Sequence, residues 1–236
     1  MKIEIWSDIA CPWCAIGKRR FERALDAFEH RHAVDVIWRS FELDPTAPPR
    51  RELSQPAHLA GKYGVTLTQA EAMNARMSAE AAKEGLRFDL DRARVGNTFD
   101  AHRLIHFAEA HGRRDEIVDR LFRAYLGEGR AIGEREVLVE IAAEAGLDHE
   151  AARTMLASDA HAAAVRADEA RARVFGISGV PFFAIDERVG VSGAQPSEVL
   201  LEVLRDAWRE STAVGTATAE PATGDTGGCA DGYCSV

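Results

Sequence analysis

The chain carries Cys11-Pro12-Trp13-Cys14 between a predicted strand and a predicted helix, close to its first residue. Residues 2–6 alternate charged and apolar side chains, which is typical of a half-buried β-strand. Apolar residues then recur at helical spacing over 21–28, and β-branched and aromatic residues at 34–38 predict a second strand. This order, with about 30 residues from strand to strand, is typical of a right-handed parallel crossover.

Two thiols at this spacing on the first turn of a helix can close a disulfide with little motion. The N-terminal end of a helix favours a thiolate, so we predict that Cys11 is the exposed nucleophile. We predict that Cys14, which should be more buried, resolves the mixed disulfide, and that Pro12 and Trp13 tune the stability of the thiols. Basic residues 18–20 either add positive potential or are solvated charges. Half of a zinc site is the alternative interpretation of the pair.

A second candidate feature lies in Gly179-Val180-Pro181, at the start of a predicted strand. Cis peptide bonds are almost confined to X-Pro sequences and mark tight functional turns, so we predict a cis bond between Val180 and Pro181. Such a bond would turn the backbone of Val180 outward. That backbone could then pair with an extended substrate peptide beside the thiols.

The middle of the chain, from residue 58 to residue 175, has the apolar spacing of a series of helices. Prolines break regular structure before it, over 44–57, and Thr68-Gln69-Ala70-Glu71 has the spacing of a capping box. After it, residues 180–191 predict a β-hairpin, and a last helix follows. We therefore predict an α/β protein in which a mixed sheet is interrupted by a large all-helical insertion.

This order divides the chain into a first sheet-forming part at 1–46, a helical insertion at 47–165 and a second sheet-forming part at 166–210. Residues 211–236 differ from the rest. They are rich in Ala, Thr and Gly and contain no Lys or Arg, which predicts a flexible tail.

A second cysteine pair, Cys229 and Cys234, lies at the end of this tail. A tether of about 20 residues reaches on the order of 25 Å, which is enough to return the pair to a site on its own domain. Our hypothesis is a relay, in which this auxiliary redox pair exchanges with a Cys11–Cys14 disulfide. A regulatory disulfide, a metal clip and incidental thiols are the alternatives.

Composition excludes several classes of partner. The chain has 236 residues and a net charge of -9, and an acidic surface repels phosphate backbones, so we expect no nucleic-acid partner. No apolar run approaches the ~20 residues of a membrane span, so we expect no membrane partner. The N-terminus has no signal-peptide pattern, so we expect a cytoplasmic location. There, the closely paired thiols among only four cysteines indicate redox chemistry or metal binding.

His102 and His106 lie four positions apart on a predicted helix and could ligate a metal. The Glu of an H-E-x-x-H motif is missing, so we interpret both as helix-surface or packing histidines and expect no metal site. Glu42 and Asp44 could accept protons, but capping or solvated roles are the simpler interpretation.

Four stretches resemble the DsbA family, and within it the cytoplasmic FrnE-like branch. They are residues 8–18, which include the cysteine pair, and residues 40–45, 97–103 and 176–183. The resemblance covers residues 1–210 and implies a thioredoxin-like fold with a helical insertion. It also implies that Cys11 and Cys14 are the redox pair and that Pro181 is a cis-proline. Members of this branch include chains with a C-terminal C-x4-C, which the tail pair matches.

This resemblance implies a thiol–disulfide oxidoreductase, with isomerase activity as a further option, that acts on protein or small thiol and disulfide substrates. Val180, Pro181, Pro12 and Trp13 would contact the substrate. An unidentified electron donor or acceptor would be the partner, and no cofactor beyond the redox-active disulfide is expected. Trp13 departs from secreted relatives, which have His there, and this puts a strongly oxidising potential in doubt.

Two alternatives stay open. The first is a glutathione-dependent enzyme of the kappa-class transferase and 2-hydroxychromene-2-carboxylate isomerase type, which shares this architecture but usually carries Ser where Cys11 stands. The second is a non-catalytic, redox-linked chaperone whose cleft binds unfolded chains and whose thiols only sense oxidation.

Overall fold

A computed structural model describes the backbone of residues 1–217 and the side chains of residues 1–212. Within that part, four strands form one mixed sheet, and a series of helices lies between its second and third strands, which confirms the predicted fold class. In chain order the strands and α-helices are β1 (Lys2–Ser7), α1 (Pro12–Asp26), β2 (Asp35–Ser40), α2 (Gln55–Tyr63), α3 (Leu67–Lys83), α4 (Phe99–Ala110), α5 (Arg114–Phe122), α6 (Arg135–Glu144), α7 (His149–Ala157), α8 (Ala162–Val174), β3 (Phe182–Ile185), β4 (Val189–Ser192) and α9 (Ser197–Ala217).

The sheet has the strand order β2-β1-β3-β4. Strand β2 runs parallel to β1, as the predicted crossover requires, whereas β3 is antiparallel to both β1 and β4. Asp186 and Glu187 turn the β3–β4 hairpin with positive φ angles of 48° and 58°. The Asp186 carboxylate accepts a hydrogen bond of 2.6 Å from the backbone N–H of Lys2, which ties the hairpin to the start of β1.

The two faces of β1 have different chemistry because side chains alternate along a strand. Ile3 and Ile5 are buried in a cluster with residues of α1 and α9. Glu4 and Trp6 are on the opposite face, where Trp6 is buried in a cluster with Ala172 of α8. The sheet is therefore covered on both faces, and a carboxylate is buried on the side of α8.

A separate apolar cluster forms the centre of the helical series, with members that include Leu104, Leu121 and Leu138. Cys11 and Cys14 belong to this cluster. The first turn of α1 therefore packs against the inserted helices, while the rest of α1 packs against the sheet. This arrangement places the cysteine pair at the junction of the two parts of the fold.

Several boundaries differ from the prediction. Pro56, which was expected to break regular structure, lies in the first turn of α2. A backbone N–H has no partner within the helix at this position, so proline loses no hydrogen bond there. Ser54 caps the same helix. The capping box joins Thr66 and Gln69, two positions before the predicted one. Helix α8 runs through the predicted boundary at residue 165.

The end of the described chain also differs from the prediction. Helix α9 extends to Ala217, beyond the predicted start of the tail at residue 211. None of the helices in the described part is long and apolar enough to cross a membrane.

Candidate functional site

Cys11 occupies the N-cap position of α1, and Pro12 is the first residue of the helix. The backbone N–H of Cys11 donates to the carbonyl of Asp8, and that of Cys14 donates to the carbonyl of Cys11, both at 3.0 Å. Both cysteines are free thiols. Cys14 is 1% exposed, as expected, but Cys11 is only 7% exposed and is not the open thiol that the sequence predicted. The inserted helices cover Cys11, which packs within their apolar cluster.

The pKa values of the two thiols shift in opposite directions. A hydrogen bond from Cys14 lowers the pKa of Cys11, and this effect outweighs the burial and the Asp8 charge that oppose it. Backbone N–H groups of Trp13 and Cys14, at the start of the helix, act in the same direction. Burial raises the pKa of Cys14 well above its usual value. Cys11 is therefore the more acidic of the two thiols and Cys14 the one that holds its proton more tightly.

The Val180–Pro181 peptide bond is cis and lies directly opposite Cys11. The Cys11 Sγ atom is 3.6 Å from the carbonyl oxygen of Val180. Pro181 also packs closely on α1, since a Cβ added at Gly17 would lie 2.9 Å from its Cγ atom. The structure thus brings together the cysteine pair and the Val-Pro segment. The pairing of the Val180 backbone with a substrate peptide stays a prediction.

Among basic residues 18–20, Arg19 is exposed, as expected of a solvated charge, whereas Lys18 and Arg20 are largely buried in ion pairs. Lys18 is 4% exposed, and its ammonium pairs with Asp119 at 2.7 Å and with Glu22. Arg20 donates to Glu84 at 2.6 Å. These ion pairs compensate the charges, and the groups that lower the pKa of Cys11 are the Cys14 thiol and the backbone N–H groups at the start of the helix.

Asp8 is a buried acid beside the cysteines whose role no sequence pattern indicates. One of its carboxylate oxygens accepts a hydrogen bond of 2.7 Å from the backbone of Leu43. The other lies 3.4 Å from Nε2 of His102, which is itself 2% exposed. His102 comes from α4 of the inserted helices, 94 positions away in sequence, and no local pattern signals that contact.

His106 and Glu42 extend this buried polar layer. His106 Nε2 lies 3.0 Å from Asp168 of α8 and 3.2 Å from the hydroxyl of Ser40. The Glu42 side chain is buried and accepts hydrogen bonds from Asn97 and Arg166. Burial raises the pKa of Glu42.

These contacts decide between the alternatives for His102, His106 and Glu42. The two histidines are packing residues and not helix-surface residues, and the Glu42 side chain is buried and not solvated, because α4 and α8 cover this end of the sheet. Asp44 remains more open and accepts hydrogen bonds from Thr46 and Arg51.

A cleft of about 300 Å³ opens beside the cysteine motif. Cys11, Pro12 and Trp13 line it on one side, and Trp13 is 40% exposed. The opposite lining comes from the first inserted helices and the loops around them, and it is largely apolar, with Leu43, Leu59, Tyr63, Met73 and Met77. A cleft of this size and composition can accept an apolar side chain next to a reacting cysteine.

Metal ligation finds no support in the described part of the chain, where no group of three or more His, Cys, Asp or Glu side chains is placed to hold an ion. Cys229 and Cys234 lie outside the described residues. The proposed relay therefore stays a prediction.

Comparisons with known proteins agree with this geometry. The family model of the DSBA-like thioredoxin domain matches residues 2–205. A crystal structure of a probable DsbA oxidoreductase from Streptomyces coelicolor is 44% identical, with a TM-score of 0.85, and the match covers 100% of this chain and 99% of that one.

Two more distant structures share the fold. The cytosolic disulfide reductase DsbM from Pseudomonas aeruginosa, solved with GSH, is 21% identical with a TM-score of 0.62, over 89% of this chain and 100% of that one. A 2-hydroxychromene-2-carboxylate isomerase is 15% identical with a TM-score of 0.65, over 93% and 100%. At these identities the likeness extends to the fold alone.

Proposed function

This chain belongs to the family of DSBA-like thioredoxin domains, and from that premise we propose that it is a thiol–disulfide oxidoreductase that works through Cys11 and Cys14. The observation that carries the proposal is the placement of the two thiols at the start of α1, where Cys11 lies at the N-cap, 3.6 Å from the Val180 carbonyl oxygen, and Cys14 is 1% exposed. A thiolate is the attacking species in disulfide exchange, whereas a buried protonated thiol can wait for a second step.

The chemistry takes two exchanges. The Cys11 thiolate attacks a substrate disulfide, forms a mixed disulfide with one sulfur, and releases the other as a thiolate. The Cys14 thiol then loses its proton and attacks the Cys11 sulfur, which forms the Cys11–Cys14 disulfide and releases the second substrate thiolate. The substrate disulfide gains two electrons and the enzyme dithiol loses them. The reverse sequence oxidises a substrate dithiol.

Substrate contacts are proposed for Val180, Pro181, Pro12 and Trp13. The Val180 carbonyl lies 3.6 Å from Cys11 Sγ, so a peptide held along this segment would present its sulfur to the thiolate. Trp13 combines exposure with a position on the cleft lining, so it is placed to contact the residues that flank a substrate cysteine.

The remaining parts of the proposal follow from the chemistry of the pair. The reaction needs no cofactor beyond the redox-active disulfide, and its partners are protein or small thiols and disulfides together with an electron donor or acceptor. We propose a cytoplasmic, FrnE-like protein, which is supported by closely paired thiols in a chain with few cysteines. The presence of Cys at position 11, where glutathione-dependent isomerases usually carry Ser, supports disulfide exchange over isomerisation.

Reduction of insulin disulfides in the presence of dithiothreitol tests this function. The wild-type chain should accelerate the reaction, and Cys11→Ser should abolish the acceleration. A Cys11→Ser protein that is folded and as active as the wild type would refute the assignment. His149→Gln, a substitution at an exposed position on α7, is the matched control and should leave the rate unchanged.

The tail pair is part of the proposal as a relay. Cys229 and Cys234 would reduce or oxidise the Cys11–Cys14 disulfide by intramolecular exchange, favoured by the high effective concentration of a tethered dithiol. The test is a single-turnover reaction with Cys229→Ser, Cys234→Ser protein. We expect a slower approach to equilibrium and a changed final distribution of disulfides. An unchanged rate and distribution would show that the relay idea is wrong.

A further inference from the structure

Cys14 must lose a proton before it can attack the mixed disulfide, yet its surroundings hold that proton in place. The side chain is 1% exposed, and burial raises its pKa well above the usual value. Bulk water therefore cannot take the proton directly. A route through the protein is needed at this step of the proposed reaction.

The Ser7 hydroxyl is the polar side-chain group next to the Cys14 thiol. It lowers the pKa of Cys14, in opposition to the larger effect of burial, so it favours the thiolate. Ser7 is 5% exposed, and its Oγ atom has no well-formed hydrogen bond to any other described residue. Buried hydroxyls rarely remain without a partner, so a water molecule beside Ser7 would satisfy this atom.

A small cavity of about 10 Å³ adjoins Ser7. Its lining also includes His102 and His106 of α4 and Ser40 of β2. The Nε2 atom of His102 is, like Ser7 Oγ, buried without a well-formed hydrogen bond. A cavity of on the order of 10–15 Å³ with two or more polar partners accommodates one water molecule.

We propose that Ser7 and His102 move the Cys14 proton through a single water molecule held in this cavity, an inference that rests on the proposed dithiol function. Ser7 Oγ accepts the thiol proton and passes its own to the water, and the water passes a proton to Nε2 of neutral His102. The Cys14 thiolate then forms its bond to the Cys11 sulfur, while the bond from Cys11 to the substrate breaks and the electron pair leaves with the substrate thiolate.

Asp8 is the positioning residue for this step. Its Oδ1 atom lies 3.4 Å from Nε2 of His102, so its charge stabilises the imidazolium that forms. The imidazolium then returns its proton to solvent through the cavity, which is also lined by His106, whose side chain is 14% exposed. Ser40 and Asp168 hold the His106 ring, at 3.2 and 3.0 Å.

The charges that face His102 come from several elements. Burial lowers its pKa, but the carboxylates of Asp8 before α1, Glu42 after β2 and Glu169 of α8 outweigh this effect, and the net shift is upward. Arg39 of β2 also lines the cavity and pairs with Asp168 at 2.9 Å. A raised pKa makes neutral His102 a stronger base than an ordinary histidine, which suits a proton acceptor.

The test separates the two exchanges with dithiobis-nitrobenzoate, a disulfide whose thiolate product is coloured. In stopped flow, attack by Cys11 releases one coloured thiolate, and the resolving attack by Cys14 releases a second. All proteins carry Cys229→Ser and Cys234→Ser so that only the first pair reacts. The variants are His102→Gln and Ser7→Ala, with His149→Gln as the matched control.

We expect the second release to rise with pH through the titration of His102 in the wild type and then to level off. In His102→Gln it should be slower on the order of a hundredfold near neutral pH and should rise in proportion to hydroxide. Ser7→Ala should slow the same phase. The first release and the circular dichroism spectrum should stay unchanged in both, which separates proton transfer from a loss of folding.

Equal second-phase rates and equal pH profiles in wild type, His102→Gln and Ser7→Ala would overturn the proton route and leave the dithiol chemistry intact. A slowing of both phases alike would also overturn it, because the substitution would then act on the structure of the whole site. Absence of a second release in the wild type would instead contradict the proposed function itself.

Discussion

The Sγ atom of Cys11 lies 3.6 Å from the carbonyl oxygen of Val180, although the two residues are 169 positions apart. The contact joins the start of α1 to the segment that precedes β3. It therefore brings the first and second sheet-forming parts of the chain together at the reactive thiol. The packing that maintains this contact can be tested at the next turn of α1.

Gly17 is the residue of α1 on which Pro181 packs. A Cβ at this position would lie 2.9 Å from Pro181 Cγ and 3.5 Å from the Cβ of Ala194, so Gly17→Ala should push Pro181 away from the helix. We expect a loss of stability on the order of 1–3 kcal/mol in denaturant unfolding, as for other overpacked sites. The value of kcat/KM for a disulfide peptide should fall as well.

Gly61→Ala is the matched control for this substitution, because Gly61 lies in α2 with nothing within 4 Å of the added Cβ. It should stabilise the protein by about 0.5–1 kcal/mol, since alanine is the better helix residue. Equal effects of the two substitutions would show that Pro181 is not held by close packing on Gly17.

Cys14 provides the largest contribution that lowers the pKa of Cys11, through a hydrogen bond between the thiols. Cys14→Ala removes this donor, so the pKa of Cys11 should rise toward its ordinary value. The measurement is the rate of alkylation by iodoacetamide as a function of pH, with both tail cysteines replaced by serine. The inflection should move to higher pH in Cys14→Ala. An inflection at the same or lower pH would contradict this account of the thiolate.

Glu4 links the sheet to α8 through charge. Its buried carboxylate accepts hydrogen bonds from Arg39 at 2.6 and 2.8 Å and from Arg171 at 2.7 and 2.9 Å. Burial raises the pKa of Glu4, but the two arginines prevail and bring it from 4.5 to about 2. A lowered pKa means that this stabilisation is complete above about pH 4.5 and is lost as the pH falls toward 2.

Glu4→Gln should therefore lower the free energy of unfolding on the order of 3 kcal/mol at neutral pH, because it removes the buried carboxylate whose pKa the two arginines lower. The difference from the wild type should shrink as the pH falls through this range. Glu29→Gln, which breaks an exposed pair with Arg205, should change little. A Glu4→Gln effect that is independent of pH would rule out the ionised carboxylate as its source.

The sequence predicts the fold well in the segments whose local pattern identifies a strand or helix and whose order identifies the connection between them. The alternation of residues 2–6, the helical spacing that begins after Cys11-Pro12-Trp13-Cys14, and the strand after Pro181 predict the elements that form the sheet and hold the thiols. The start of helix α2 is hard to predict because Pro56 is typical of a break in regular structure, although proline is also favoured in the first turn of a helix.

The surroundings of the thiols were not predictable in the same way. Asp8, Ser7 and Glu42 are ordinary polar residues in sequence, and each acquires its role from a helix far along the chain. The burial of Cys11 likewise depends on how the inserted helices pack against the start of α1. Local periodicity indicates which face of an element is apolar, but it does not indicate which distant element will cover a charged group.

Trapping of mixed disulfides tests the central claim most directly. The tail cysteines are replaced by serine, and Cys11→Ser and Cys14→Ser proteins are each incubated with a disulfide peptide and analysed by non-reducing mass spectrometry. Cys14→Ser should accumulate a stable adduct of one peptide chain on Cys11, because the resolving thiol is absent. Cys11→Ser should form none, since Cys14 is buried and protonated. An adduct of equal yield on Cys14 in the Cys11→Ser protein would contradict the assignment of the two thiols.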